Sequence, residues 1–259
     1  MAASKKNPFP SSSFGSRLGS MLRLDCKRML VTPLFWVCLG TAFAIPILVL
    51  VMTSMVGSEA GGMIFTNTWQ IIGSESGALG MDMTAMMNIN LVFFLAAVFI
   101  CLFTAGDFRS GYTKNLFTVR AKKTDYVASK TILGWLAGVL FLVAFLIGSI
   151  AGGTAAGLPF VLGAAGAAGL VMSMLAKSFL MGVFVAIYLV MSVLGKHRAW
   201  MSILLSLFGG MLLFLMIPML TPLDAGVAHV GLCLAGGVIF ASALGTVSNL
   251  ILKTSSLVR

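Results

Sequence analysis

Long apolar runs alternate with short polar ones along this chain of 259 residues. Six runs, at residues 34–56, 88–106, 131–152, 178–195, 199–217 and 228–252, are long enough to cross a bilayer as helices at about 1.5 Å per residue. No stretch alternates in the manner of a strand, and no soluble domain is expected. Between the second and third runs lies the longest internal polar stretch, residues 107–130. It carries Arg109, Lys114, Arg120, Lys122, Lys123 and Lys130 against only Asp107 and Asp125. A segment this polar does not sit in hydrocarbon, and its basic excess assigns it to the cytoplasm. Gly111 permits a turn, after which residues 112–119 are expected to form a short helix. On composition alone this is either a solvated loop that sets topology or a surface that takes a push from a soluble partner.

The flanks differ from the runs. Residues 1–16 are rich in Ser, Pro and Lys and are expected to be disordered. From residue 17 to 31 the pattern turns amphipathic. Leu18, Met21, Leu22 and Met29 recur at helical spacing with Phe14, while Arg17, Arg23, Lys27 and Arg28 lie towards the other side. That suits a helix lying on the cytoplasmic membrane surface. Asp25 falls within the apolar arc, where it either pairs with Arg28 one turn on or faces a partner. Pro33 is expected to break this helix, and Pro46 is a candidate kink in the first span. Residues 57–87 contain Glu59, Glu75 and Asp82 but no Lys or Arg, and read as an outside loop.

Residues 160–176 decide the span count. They are apolar but short and full of Gly and Ala. Counting them as a span gives seven and exports Lys196, Arg198, Lys253 and Arg259; leaving them on, or re-entering from, the outer face gives six and leaves only Lys177 outside. Because basic residues in short loops set orientation, six spans with both termini cytoplasmic are expected.

Composition agrees with a multi-pass membrane protein: 59% hydrophobic, 9% charged and a mean hydropathy of +1.06, where soluble domains carry roughly 25% charged residues. The net charge of +10 does not point to nucleic acid, because the basic residues cluster at the ends of apolar runs, as suits lipid and topology. Gly134 with Gly138, and Gly148 with Gly152, have the GxxxG spacing that lets helices approach closely, within one subunit or between two.

The search for chemistry is mostly negative. The sequence has no GxxxxGK[ST] cradle, HExxH, paired-cysteine zinc pattern or Rossmann fingerprint. Cys26, Cys38, Cys101 and Cys233 form no close pair. His197 and His229 are expected on opposite sides of the membrane. No catalytic, cofactor or metal site is therefore expected on this chain. No ionisable residue is expected in the middle of a span, which argues against a proton-coupled carrier.

One pattern carries a resemblance. The amphipathic N-terminal helix, six spans and the order Asp107-x-x-Ser110-Gly111, Lys114-Asn115, Arg120, Tyr126, Lys130 resemble the permeases of type-2 ATP-binding-cassette (ABC) transporters. Residues 180–198, 216–224 and 236–258 are similar to small bacterial permeases linked to peptide-antibiotic export or immunity. The likeness covers nearly the whole chain after Ser16. Tyr112 stands where a small Thr is common, and Asp107 where Glu is common.

The resemblance implies an all-α membrane protein with six transmembrane helices, an amphipathic N-terminal helix and a short cytoplasmic coupling helix, in the cell (plasma) membrane. It implies a second permease chain, identical or related, and separate ABC ATPase subunits that hold ATP and Mg. Asp107, Arg109, Gly111, Lys114, Asn115 and Arg120 would couple to the ATPase, with Asp25 and Arg28 as further docking candidates. The cargo would be a peptide antibiotic, drug or other amphipathic molecule. An ATPase-independent channel or secondary transporter, and a non-transporting immunity or scaffold protein, are the alternatives.

Overall fold

The computed structural model describes residues 13–60, 65–73, 88–118, 122–162, 166–196 and 198–254, and among them the ordered elements are all helices. Helix α1 is Phe14–Val31. It starts three residues earlier than the amphipathic pattern suggests, because Ser13 caps it by accepting a bond from the Ser16 amide. Thr32 ends it in extended backbone, and Pro33 opens α2, Pro33–Ala60, at a position where a missing amide hydrogen costs nothing. A single 3-10 turn, Thr68–Ile71, follows, closed by a capping box between Asn67 and Gln70. Then come α3 (Leu91–Arg109), α4 (Tyr112–Thr118), α5 (Lys123–Ala155), α6 (Gly166–Gly195), α7 (Ala199–Leu220) and α8 (Val227–Thr254).

Five of these, α2, α3, α5, α6 and α8, are long and apolar enough to cross a membrane. A sixth is reached if α7 counts as one span, since its two parts meet at 49° around Leu212. Gly209 and Gly210 loosen the helix before the bend, and Pro218 withholds a bond after it.

The structure corrects the reading of residues 160–176. Residues 166–176 are not a separate segment but the first third of α6, which runs unbroken through Lys177. Lys177 looks like a boundary in sequence; in the fold it is buried and its Nζ finds acceptors inside the protein. No proline interrupts 166–195, and leucine, alanine and methionine recur along it as strong helix formers.

Helix α6 is the hub, packing on α3, α5, α7 and α8. It is hydrophobic all round, as a helix surrounded by others must be. Helix α5 carries α2 and α1 on its other side. The glycine spacings serve this packing. A Cβ at Gly152 would stand 2.8 Å from the Ile47 Cα, and one at Gly138 would meet Met181 Cγ at 2.5 Å. Gly148 and Gly152 thus let α5 lie against α2, while Gly134 and Gly138 receive α6 side chains.

Both ends of the bundle are defined by contacts. At one end Met21, Phe108, Tyr126, Leu189, Val193 and Leu252 form a small core, joining α1 to the ends of α3, α6 and α8 and the start of α5. The chain order places the described lysines and arginines at this end, with Lys177 the exception. It is called the basic end below. At the other end the 3-10 turn meets the α5–α6 connection, where the Thr68 amide bonds to the Pro159 carbonyl.

Candidate functional site

The polar stretch after α3 folds as a compact joint at the basic end. Helix α3 stops at Arg109, and Gly111 adopts φ +71°, the left-handed region that favours glycine. That turn lets α4 start at once, with the Asn115 amide bonded to the Gly111 carbonyl at 3.0 Å. The Thr113 and Ser110 hydroxyls both reach the Asp107 carbonyl, tying α4 back to α3.

Two carboxylates lie inside this joint, Asp25 from α1 and Asp107 from α3, each 0% exposed. Asp107 accepts from Arg28 Nη2 at 2.6 Å and from the Tyr126 hydroxyl at 3.2 Å, and its Oδ2 lies 2.7 Å from Lys130 Nζ. Asp25 accepts from Lys130 Nζ at 3.0 Å and from the Ser129 hydroxyl at 2.8 Å, with Arg28 Nη1 at 3.5 Å. Two acids thus face two bases, so the cluster is formally neutral. Taking an isolated ion out of water costs several kcal/mol, and only close pairing with further hydrogen bonds offsets that. Aromatic faces complete the shell: the Arg28 guanidinium carbon lies 4.0 Å above the Tyr112 ring, and Lys130 Nζ 4.3 Å above Phe103.

The electrostatics follow from this geometry. Burial opposes the Arg28 charge, but Asp107, with help from Tyr112 and Asp25, outweighs it and holds the guanidinium pKa above its ordinary value. Burial, and then Asp25, push the Tyr112 phenol upward against the opposing pull of Arg28. A second clamp lies further back on α1, where Arg17 Nε meets Asp125 Oδ2 at 2.9 Å. Asp125 sits in the first turn of α5, where a negative charge also suits the helix dipole.

The residues expected to form a docking surface separate into two groups. Asp25, Arg28 and Asp107 come together, but inward: both carboxylates are enclosed by side chains of this chain, and Arg28 is 31% exposed. With α1 in place, a soluble partner does not reach either acid. Arg109, Lys114 and Asn115 are exposed, and Gly111 forms the turn beneath them. Arg120 lies outside the described residues. The pairing of Asp25 with Arg28 is as expected, but its main cation is Lys130, which sequence reading placed in the pattern without a contact. Asp25 in an apolar arc was the signal that a buried cation had to exist.

A second ionisable side chain lies at depth. Lys177 Nζ donates to the Thr221 carbonyl at 2.6 Å and to the Ser173 hydroxyl at 2.8 Å. Thr221 is the C-cap of α7, where carbonyls lack partners and the helix dipole is negative. The expectation that no candidate span holds an ionisable residue away from its ends is therefore corrected for α6, which carries Lys177 buried within it. The acceptor is 44 residues away in sequence and leaves no local trace. Among the described residues no group of three or more His, Cys, Asp or Glu is placed to hold a metal ion.

Comparisons with family models, with curated proteins and with solved structures find no match to this chain.

Proposed function

We propose that the chain is the membrane-spanning permease subunit of an ATP-driven transporter of the type-2 ABC class. Separate ATPase subunits would dock beneath α4, and a second permease chain would complete the pathway. The basic end then faces the cytoplasm, because short-loop lysines and arginines orient membrane proteins that way. The cargo class is amphipathic: a peptide antibiotic, a drug or a related molecule.

The observation that carries this reading is the sharing of Arg28. One guanidinium lies on the Tyr112 ring of α4 and bonds to Asp107 of α3, while its own backbone belongs to α1. Lys130 of α5 touches both acids. A load on the exposed face of α4 therefore reaches three helices through one buried cluster. In this mechanism the exposed Lys114 and Asn115 meet the ATPase, and Asp25, Arg28 and Asp107 transmit its motion without touching it.

The test is affinity purification of the tagged chain from native membranes, probed for a bound ABC ATPase. Stoichiometric copurification, lost when α4 is scrambled at constant charge, is the expected result. Normal ATPase binding and transport in the scramble would overturn the proposal. Lys177 favours a second reading, since ionisable residues inside spans often mark ion pathways. A carrier of that kind would show gradient-driven flux from this chain alone, and Lys177→Met would abolish it.

A further inference from the structure

At the basic end, α1, α5 and α8 enclose a groove of about 390 Å³, open to the side of the bundle. On α5 it runs from Thr124 to Ile132, and on α8 from Asn249 back to Ala241. Eight residues of helix span about 12 Å, most of the ~15 Å depth of one leaflet's hydrocarbon. The wall is apolar in effect. Thr131, Ser242 and Thr246 line it, but each hydroxyl donates to a carbonyl of its own helix. At the basic end of the groove the Asn249 Oδ1 is buried and accepts no hydrogen bond.

The rim is strongly cationic. Phe14 covers the basic end of the groove, and Arg17 follows it one turn along α1. Lys122 and Lys123 immediately precede Thr124, with Lys122 exposed, and Lys253 is exposed one turn beyond Asn249. Lys123 Nζ donates to the Leu252 carbonyl, which brings the α5 and α8 sides of the rim together. Asp125, held by Arg17, is the one acid in this sequence neighbourhood. An apolar slot of leaflet depth under a net positive rim fits a lipid with an anionic head group. A second copy of the chain fits less well, because symmetric docking would bring two such rims together and like charges across an interface repel.

We propose that this groove is a binding site for one anionic phospholipid, its phosphate at the Lys122–Lys253 rim and an acyl chain between α5 and α8. The site stands apart from the coupling role of α4 and does not depend on it.

The experiment is thermal unfolding of the purified full chain in detergent, with phosphatidylglycerol or phosphatidylcholine added at equal mole fraction. A ligand that binds the folded state raises Tm; a shift of roughly 5 °C is expected with saturating phosphatidylglycerol and none with phosphatidylcholine. The double variant Lys122→Gln/Lys253→Gln should lose most of the shift while keeping its Tm in phosphatidylcholine. Gly245→Leu tests the slot, since a Cβ there meets only Val127 at 3.8 Å and a longer side chain enters the groove. Equal shifts from the two lipids would overturn the proposal, as would a phosphatidylglycerol shift kept in both variants. A shift reproduced by inorganic phosphate would reassign the rim to a free anion. Disulfide crosslinking between copies at Ser242→Cys, in a background without the native cysteines, would give the groove to a second chain instead.

Discussion

Arg28 and Asp107 lie 79 positions apart in sequence and 2.6 Å apart in the fold. Their contact joins helix α1 to the end of α3, and the Asp107 partner of this pair is fully buried. Removing one member of a buried pair leaves the other uncompensated, which costs on the order of 3–5 kcal/mol. Asp107→Ala is therefore expected to lower thermal stability and membrane level, not merely to weaken docking. Asp107→Asn keeps the shape and two polar atoms and should be milder. Unfolding midpoints for the two variants check this; an Asp107→Ala protein as stable as the parent would show that the cluster is not paired as described.

Lys177 gives a second expectation. Lys177→Met preserves length and removes the charged donor to Thr221 and Ser173, leaving the buried helix-terminal carbonyl with only the longer 3.3 Å bond from the Ser173 hydroxyl. A hydrogen bond from a charged group contributes about 1.5–3 kcal/mol, so the variant should unfold earlier. Lys177 also sits inside α6, so a cysteine there should resist an impermeant thiol reagent in intact cells. Asp224→Cys, in the exposed turn between α7 and α8, should react. Labelling at 177 equal to that at 224 would show that Lys177 is open to the outer solution and not buried in the bundle.

These two residues mark what the sequence could and could not say. Hydrophobic run length identified the long helices, because bilayer thickness and helix rise leave little freedom. The short helix after Gly111 was legible because a glycine turn and a polar run leave few other solutions. Lys177 was misread because a lone basic residue between apolar stretches has the same local signature whether it ends a helix or is satisfied within one. The inward turn of Asp107 was hidden for the same reason: its partners come from residues 28, 126 and 130, on two other helices. Only Asp25, an acid on an apolar face, carried a local sign of burial.

Tyr112 supplies a pH test. Burial and the Asp25 charge raise its phenol pKa in the folded chain. The folded state therefore keeps a proton that the unfolded chain releases above about pH 10. The stabilisation is whole below the unfolded pKa and is lost as pH rises through the folded value. Tyr112→Phe cannot ionise at that position, so its Tm should fall less than the parent's between pH 9 and 11. Parallel declines in the two proteins would remove Tyr112 from the alkaline transition.

The coupling role of α4 can be separated from its structural neighbours. Lys114 is exposed on α4. Exposed charges contribute little to stability, so Lys114→Glu should leave Tm and membrane level unchanged. If α4 is the docking helix, reversing a charge on its exposed face should reduce ATPase copurification and transport-stimulated hydrolysis several-fold. Arg28→Ala should behave differently: it leaves the outer face of α4 intact but leaves two buried acids to one buried base, Lys130, and removes the cation over Tyr112. That variant should unfold earlier and, in the fraction that remains folded, bind the ATPase while responding weakly to it. Binding and response are measured separately, by copurification and by cargo-stimulated ATP hydrolysis. Loss of binding in Arg28→Ala with normal binding in Lys114→Glu would reverse the assignment, placing the contact on α1 and leaving α4 as a spacer.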